Sequence, residues 1–172
     1  MKILLIGYMG SGKSTIGKNL SKIVGIPFYD LDEIIEQQEN TSIKNIFKTK
    51  GEIYFRKIEH QMLHDFHRNN NSYILALGGG TPCYANNHFL LQEEEEVKSF
   101  YLKGSIATLI NRLKNEKAKR PLLNNIPEEE LSEYIAKHLF DRNYYYQQAK
   151  KTITIDNKTV NEIALEINKE LA

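Results

Sequence analysis

A chain of 172 residues that is 41% hydrophobic and 26% charged can bury one real core, which excludes disorder and leaves little room for a second domain. A formal net charge of +1 leaves no electrostatic footprint for nucleic acid or an anionic membrane. One cysteine, Cys83, excludes an internal disulfide and suits a reducing cytoplasm, and no apolar run approaches the about 18 residues that span a bilayer.

The expectation is a single domain over residues 1–172, monomeric, with no nucleic-acid or membrane partner. Lys2 to Ile6 reads as a short apolar strand, and because it leads straight into a functional loop it does not read as a cleaved signal. That loop, Gly7-Tyr8-Met9-Gly10-Ser11-Gly12-Lys13-Ser14-Thr15, fits G-x-x-x-x-G-K-[ST]. Ile16, Leu20 and Ile23 follow on one helical face, so strand, glycine loop and helix come in the order a phosphate cradle requires. Lys13 is placed to reach the β- and γ-phosphates and Ser14 to bind Mg²⁺. A nucleoside triphosphate is the expected ligand.

Gly25-Ile26-Pro27 punctuates, and Phe28-Tyr29 opens a second strand that closes at Asp30-Leu31-Asp32. A helical turn or two at 33–39 precedes a short helix opened by Thr41-Ser42 and stopped by Gly51. Glu52 to His67 reads as a longer helix with Phe55, Ile58, Met62, Leu63 and Phe66 inward. Tyr73 to Leu77 is a continuous apolar run of the kind a parallel sheet buries, ending in Gly78-Gly79-Gly80. A helix is expected around 85–91, then a solvated acidic turn, Glu93 to Glu96. Val97 to Leu102 is the fourth strand, and Ser105 to Leu113 a helix. Residues 114–125 carry little apolar periodicity and are expected to form a mobile lid. Pro127 and three acids open a helix to about Gln148, before a fifth strand at Thr152 to Ile155 and a closing helix.

Strands alternating with helices argue for a parallel sheet covered on both faces, with ligands at the C-terminal strand ends. Gly7 onward, Asp30 with Asp32, and Gly78 to Gly80 all follow strand ends and should therefore meet. Asp30 and Asp32 lie two apart and can share a side, one near Ser14 and its metal, the other accepting a proton from a hydroxyl. Helix capping by Asp32, with Asp30 a turn residue, is the alternative. No acid ends the strand at Tyr73 to Leu77, which leaves Asp30 as the magnesium-side carboxylate, and Asn157-Lys158-Thr159-Val160 lacks the aspartate of a guanine-reading motif. Arg56, Arg120 and Arg142 stand where arginines could clamp an anionic acceptor or a transferring phosphoryl group. The five histidines show no metal spacing; His60 and His64 read as partly exposed helix residues, and Tyr144 to Tyr146 as packing.

Taken together, these motifs resemble shikimate kinase along nearly the whole chain. The likeness rests on Gly10 to Gly17, Asp30-x-Asp32, Ile46-Phe47 with Gly51-Glu52, Phe55-Arg56-x-x-Glu59, Leu77 to Gly80, Arg120-Pro121-Leu122-Leu123 and Arg142-x-x-Tyr145. The resemblance implies a P-loop three-layer α/β/α sandwich with a five-stranded parallel sheet of order 2-3-1-4-5, and an acceptor-binding region at about 32–67. It implies MgATP-dependent phosphorylation of the 3-hydroxyl of shikimate on the way to chorismate. By that pattern Asp32, Arg56, Gly80 and Arg142 hold shikimate, with Gly78 and Gly79 beside it, Glu59 orienting Arg56, and Phe47, Phe55, Pro121 and Leu122 lining the pocket. Lys13 and Arg120 stabilise the phosphoryl group, Asp32 acts on the attacking hydroxyl, and Ser14 with Asp30 organises Mg²⁺. Gly10, Ser11, Gly12, Thr15 and Arg112 belong to the nucleotide side. The chain departs from the pattern at Thr81-Pro82-Cys83 and at Asp156-Asn157-Lys158, which lacks a proline that often flanks adenine. A kinase of another hydroxy acid such as gluconate, and a nucleotide-dependent switch, are the alternatives.

Overall fold

The computed structural model describes residues 1–116 and 125–172. Arg120, Pro121 and Leu122, and most of the expected lid, lie outside the described residues. The elements run β1 (Lys2–Ile6), α1 (Lys13–Val24), β2 (Phe28–Asp30), α2 (Leu31–Glu39), α3 (Ile43–Asn69), β3 (Tyr73–Ala76), a 3₁₀ turn (Thr81–Cys83), α4 (Phe89–Gln92), β4 (Val97–Lys103), α5 (Ile106–Lys114), α6 (Glu128–Tyr146), β5 (Lys151–Thr154) and α7 (Val160–Leu171). Among the described residues no helix is long and apolar enough to cross a membrane.

The five strands form one sheet in the order β2-β3-β1-β4-β5, every pair parallel, as the family resemblance implies. Side chains alternate across a strand, so β1 feeds two cores at once. Ile3 and Leu5 face α1 and α7, where they meet Leu20, Ile163 and Ile167. Leu4 and Ile6 face the other way, toward Ile35, Ile58, Leu113 and Ile135 from α2, α3, α5 and α6. These side chains are fully or almost fully removed from water, which contributes on the order of 2 kcal/mol apiece. Two apolar faces on one strand explain why β1 reads as an unbroken hydrophobic run.

Register decides what the sheet presents. Ala76 of β3 pairs with Leu5 of β1 on one side and with Asp30 of β2 on the other. The three chain exits after these residues therefore open side by side at one edge.

Gly51 stops the first helix as expected: its backbone, at φ 83° and ψ 170°, is not helical, so α3 is two helices that meet at a kink. One element differs from expectation. The helix expected around 85–91 shrinks to Phe89–Gln92. Ala85 and Asn86 are left-handed, at φ 50° and 57°, because the chain must turn after the Pro82 3₁₀ turn to bring the Asn87 side chain inward. Ser42 caps α3 as expected, accepting from the Asn45 N–H at 3.1 Å. The acidic run is exposed, although Glu96 reaches back to the buried Lys2 ammonium at 2.9 Å.

Candidate active site

The loop after β1 wraps tightly because Gly10 and Gly12 sit at φ 82° and 88°, left-handed values that a side chain would strain. Gly12 then caps α1, whose first turn turns its N–H groups toward the loop. Lys13 lies along the loop, its ammonium donating to the Gly7 carbonyl at 2.6 Å and the Tyr8 carbonyl at 3.1 Å. Arg112, on α5, donates to the Ser11 carbonyl at 3.1 Å and so braces the loop from the far side. A cavity of about 230 Å³ opens here, lined by Gly12, Lys13, Ser14, Asp30, Asp32 and Gly78 among others. Gly10, Thr15 and Gly79 line it as well.

The two aspartates divide their work. Asp30 caps α2, its Oδ1 accepting from the Asp32 N–H at 2.9 Å while Oδ2 accepts from the Ser14 hydroxyl at 2.8 Å. The cap is thus Asp30, not Asp32, because the helix begins directly at the strand end. Asp32, one step into the helix, points its carboxylate into the cavity. Burial, then the neighbouring charges of Asp30 and Glu59, push its pKa from 3.8 up to about 6, while Lys13 pulls the other way. Such a carboxylate can take a proton near neutral pH.

Across the cavity, Arg56 donates to the buried Glu59 at 2.9 Å and lies over the Tyr84 ring at 3.9 Å. A Cβ on Gly80 would stand 2.8 Å from the Arg56 guanidinium, so a side chain there would have to displace it. Phe55 lies on the other flank of Arg56, and half-exposed Phe47 packs on Phe55 with ring centres 4.6 Å apart. Arg142, from α6, stands against Gly79, where a Cβ would be 3.2 Å from its Nη1, and over the Tyr8 ring. The described residues placed above lie along one edge of the sheet, from Arg112 beside the phosphate loop to Phe47 against Phe55.

Four side chains make contacts that the sequence did not indicate. Tyr8, an unspecified position of the loop motif, is 1% exposed and exchanges a hydrogen bond with His138 at 2.9 Å. Tyr146 donates its hydroxyl to the Gly79 carbonyl at 2.6 Å. Tyr84 supplies the ring under Arg56, and Thr81 donates to Glu59 at 2.8 Å. Only Thr81 carried a signal, since it follows the triple glycine where the resembled pattern has a smaller or apolar residue.

The arrangement joins a cradle for phosphates, a hydroxyl–carboxylate pair of hard oxygens, a half-buried carboxylate of raised pKa and two arginines for a small anion. Known proteins match the chain over nearly its whole length. The family model described as shikimate kinase matches residues 9–172. A shikimate kinase of Flavobacterium johnsoniae is 57% identical over 171 residues, covering 99% of each chain. The crystal structure of shikimate kinase from Bacteroides thetaiotaomicron superposes with a TM-score of 0.91 at 30% identity, covering 99% of this chain and 98% of that one. Shikimate kinase from Acinetobacter baumannii in complex with shikimate superposes with a TM-score of 0.86 at 29% identity, covering 99% and 92%.

Proposed function

The chain belongs to the shikimate kinase family, and from that premise we propose that it transfers the γ-phosphoryl group of ATP to the 3-hydroxyl of shikimate, giving 3-phosphoshikimate and ADP. The observation that carries this reading is Asp32: a carboxylate of raised pKa, in one cavity with Lys13 and the phosphate loop, and facing the Arg56–Glu59 pair.

Phosphoryl transfer asks the protein for alignment and charge neutralisation. The loop amides and Lys13 hold the β- and γ-phosphates, and Arg112 keeps the loop in shape. Arg56 and Arg142 take the carboxylate of the acceptor, Gly79 and Gly80 leaving room for the two guanidinium groups against the backbone. Asp32 accepts the proton of the 3-hydroxyl as that oxygen bonds to the γ-phosphorus and the bond to the bridging oxygen of ADP breaks. Ser14 and Asp30, with hydroxyl and carboxylate oxygens 2.8 Å apart, are the hard donors that suit Mg²⁺. When bound, that ion supplies charge neutralisation at the phosphates. Arg120 joins this scheme on the strength of its Arg-Pro-Leu-Leu motif.

The reading includes a cytoplasmic monomer acting on small molecules, supported by the single Cys83 and the near-neutral net charge. ADP release measured with ATP and Mg²⁺, alone, with shikimate and with gluconate, tests it. Release that depends on shikimate is expected. Release only with gluconate would make the chain a kinase of another hydroxy acid, and nucleotide binding without acceptor-dependent release would make it a switch.

A further inference from the structure

Glu59 is 1% exposed, and each of its carboxylate oxygens has one donor. Oε1 takes Arg56 Nη1 at 2.9 Å, and Oε2 takes the hydroxyl of Thr81 at 2.8 Å. Thr81 is itself fully buried, at the start of the 3₁₀ turn after the triple glycine. Its N–H donates to the Gly78 carbonyl at 3.1 Å, and its carbonyl accepts from Asn87 Nδ2 at 3.0 Å.

Asn87 is also fully buried. Because its Nδ2 must donate to a carbonyl, the amide can be turned only one way, with Oδ1 as acceptor. Oδ1 faces His60 Nδ1 at 2.6 Å and His64 Nε2 at 3.3 Å, so both of those ring nitrogens carry hydrogen. The network therefore leaves α3 at Glu59, passes through Thr81 and Asn87, and returns to α3 at His60 and His64. It is a closed brace that pins the turn after β3 onto the helix that carries Arg56.

Space has been cleared for it. A Cβ on Gly78 would stand 2.9 Å from the Thr81 hydroxyl and 3.2 Å from Asp32 Oδ1. A buried carboxylate bonded on one side only can turn about its last torsion, and its arginine turns with it. Two donors at opposed oxygens remove that freedom.

We propose that Thr81, seated by Asn87, is a positioning residue that locks Glu59 and through it aims the Arg56 guanidinium at the carboxylate of the acceptor. The inference rests on the acceptor-binding role of Arg56 proposed above. It makes Thr81 a determinant of acceptor affinity that leaves the nucleotide side untouched.

Steady-state kinetics of Thr81→Val, Thr81→Ser, Arg56→Ala and Thr81→Val/Arg56→Ala test it. Valine keeps the shape and removes the hydroxyl, so the shikimate KM should rise about five- to tenfold, the scale of a lost bond to a charged group. The ATP KM should stay within about twofold, and serine should restore the shikimate KM. In the Arg56→Ala background, Thr81→Val should add nothing further, because its effect passes through that arginine. A raised shikimate KM in Arg56→Ala beside a normal one in Thr81→Val overturns this inference alone. An equal Thr81→Val effect with and without Arg56 also overturns it. A normal shikimate KM in Arg56→Ala overturns the acceptor role of Arg56 and this inference with it. If the valine variant does not fold, Thr81→Ala, which also lacks the hydroxyl and adds no bulk, is read by the same criteria.

Discussion

The Ser14 hydroxyl donates to Oδ2 of Asp30 at 2.8 Å across 16 residues of sequence, tying the first turn of α1 to the end of β2. The other oxygen of Asp30 caps α2. One side chain thus links the phosphate loop's Ser14 to the start of the helix that carries Asp32. Asp30→Asn keeps an oxygen for the cap and loses the charge, so stability should stay within about 0.5 kcal/mol. The Mg²⁺ concentration for half-maximal activity should rise about tenfold, the scale of a charged contact. Asp30→Ala should show the same metal effect and lose about 1 kcal/mol more of stability with the cap. Magnesium titration of activity beside urea unfolding checks both, and an unchanged metal requirement would remove Asp30 from the metal site.

Lys13→Ala removes the ammonium that lies along the loop at the Gly7 and Tyr8 carbonyls. Turnover should drop by about 100-fold or more, as when one preorganised charge is withdrawn from a transferring group. Circular dichroism and the unfolding midpoint should stay close to those of the parent, since the side chain has no place in either apolar core. Near-normal turnover in a folded variant would refute the assignment.

If Asp32 accepts the hydroxyl proton, the reaction should be sensitive to pH. Its carboxylate titrates at about 6, and only the ionised form accepts a proton, so kcat/KM for shikimate should fall as pH drops through that value. Asp32→Asn should lower turnover about 100-fold and flatten that limb. A profile without an acidic limb in the parent would take the proton-acceptor role from Asp32.

The same shift has a consequence for stability of opposite sense. Folding raises this pKa from 3.8 to about 6, so the folded state favours the protonated carboxyl. The stabilising contribution is full below 3.8 and is lost as pH rises through 6. Above that, the ionised group sits in the fold at a cost on the order of 3 kcal/mol, about two pH units at 1.36 kcal/mol each. Asp32→Asn should therefore raise the unfolding midpoint at pH 8 relative to the parent, with the gain shrinking toward pH 4. Thermal melts across that range decide it, and a variant less stable than the parent at pH 8 would show that the carboxylate is not strained there.

Tyr146→Phe deletes the hydroxyl that holds the Gly79 carbonyl at 2.6 Å and leaves the ring packed on Tyr101. Loss of one buried bond should cost about 1 kcal/mol of stability. It should also loosen Gly79 against Arg142, raising the shikimate KM a few-fold. Chemical unfolding and acceptor kinetics on the same preparation test the two effects separately.

Arg120→Ala should lower kcat by about 100-fold or more if this arginine meets charge that develops on the phosphoryl group in flight. Shikimate affinity, measured by equilibrium binding without nucleotide, should change little. A variant that loses affinity and keeps kcat would place Arg120 with the acceptor instead.

Whatever depends on local rules was legible in the chain. Lys2 to Ile6 before G-x-x-x-x-G-K-S reads as a strand entering a phosphate cradle, because the glycines, the lysine and the helix that follows are contiguous. Alternating strands and helices prescribed a parallel sheet, and a parallel sheet gathers its strand ends, so Asp30, Asp32 and Gly78 to Gly80 could be brought to the loop without coordinates. Which side chains complete that edge depended on the packing of elements distant in sequence. Tyr146 reaches Gly79 across 67 residues and Thr81 reaches Glu59 across 22, contacts that depend on how α6 and α3 seat on the sheet and leave no periodic trace in the chain. The helix expected around 85–91 failed for the same reason. Its residues have helical spacing, but the buried amide of Asn87 bonds to Thr81 and to the histidines of α3, and that long-range satisfaction of a polar group outweighs local propensity.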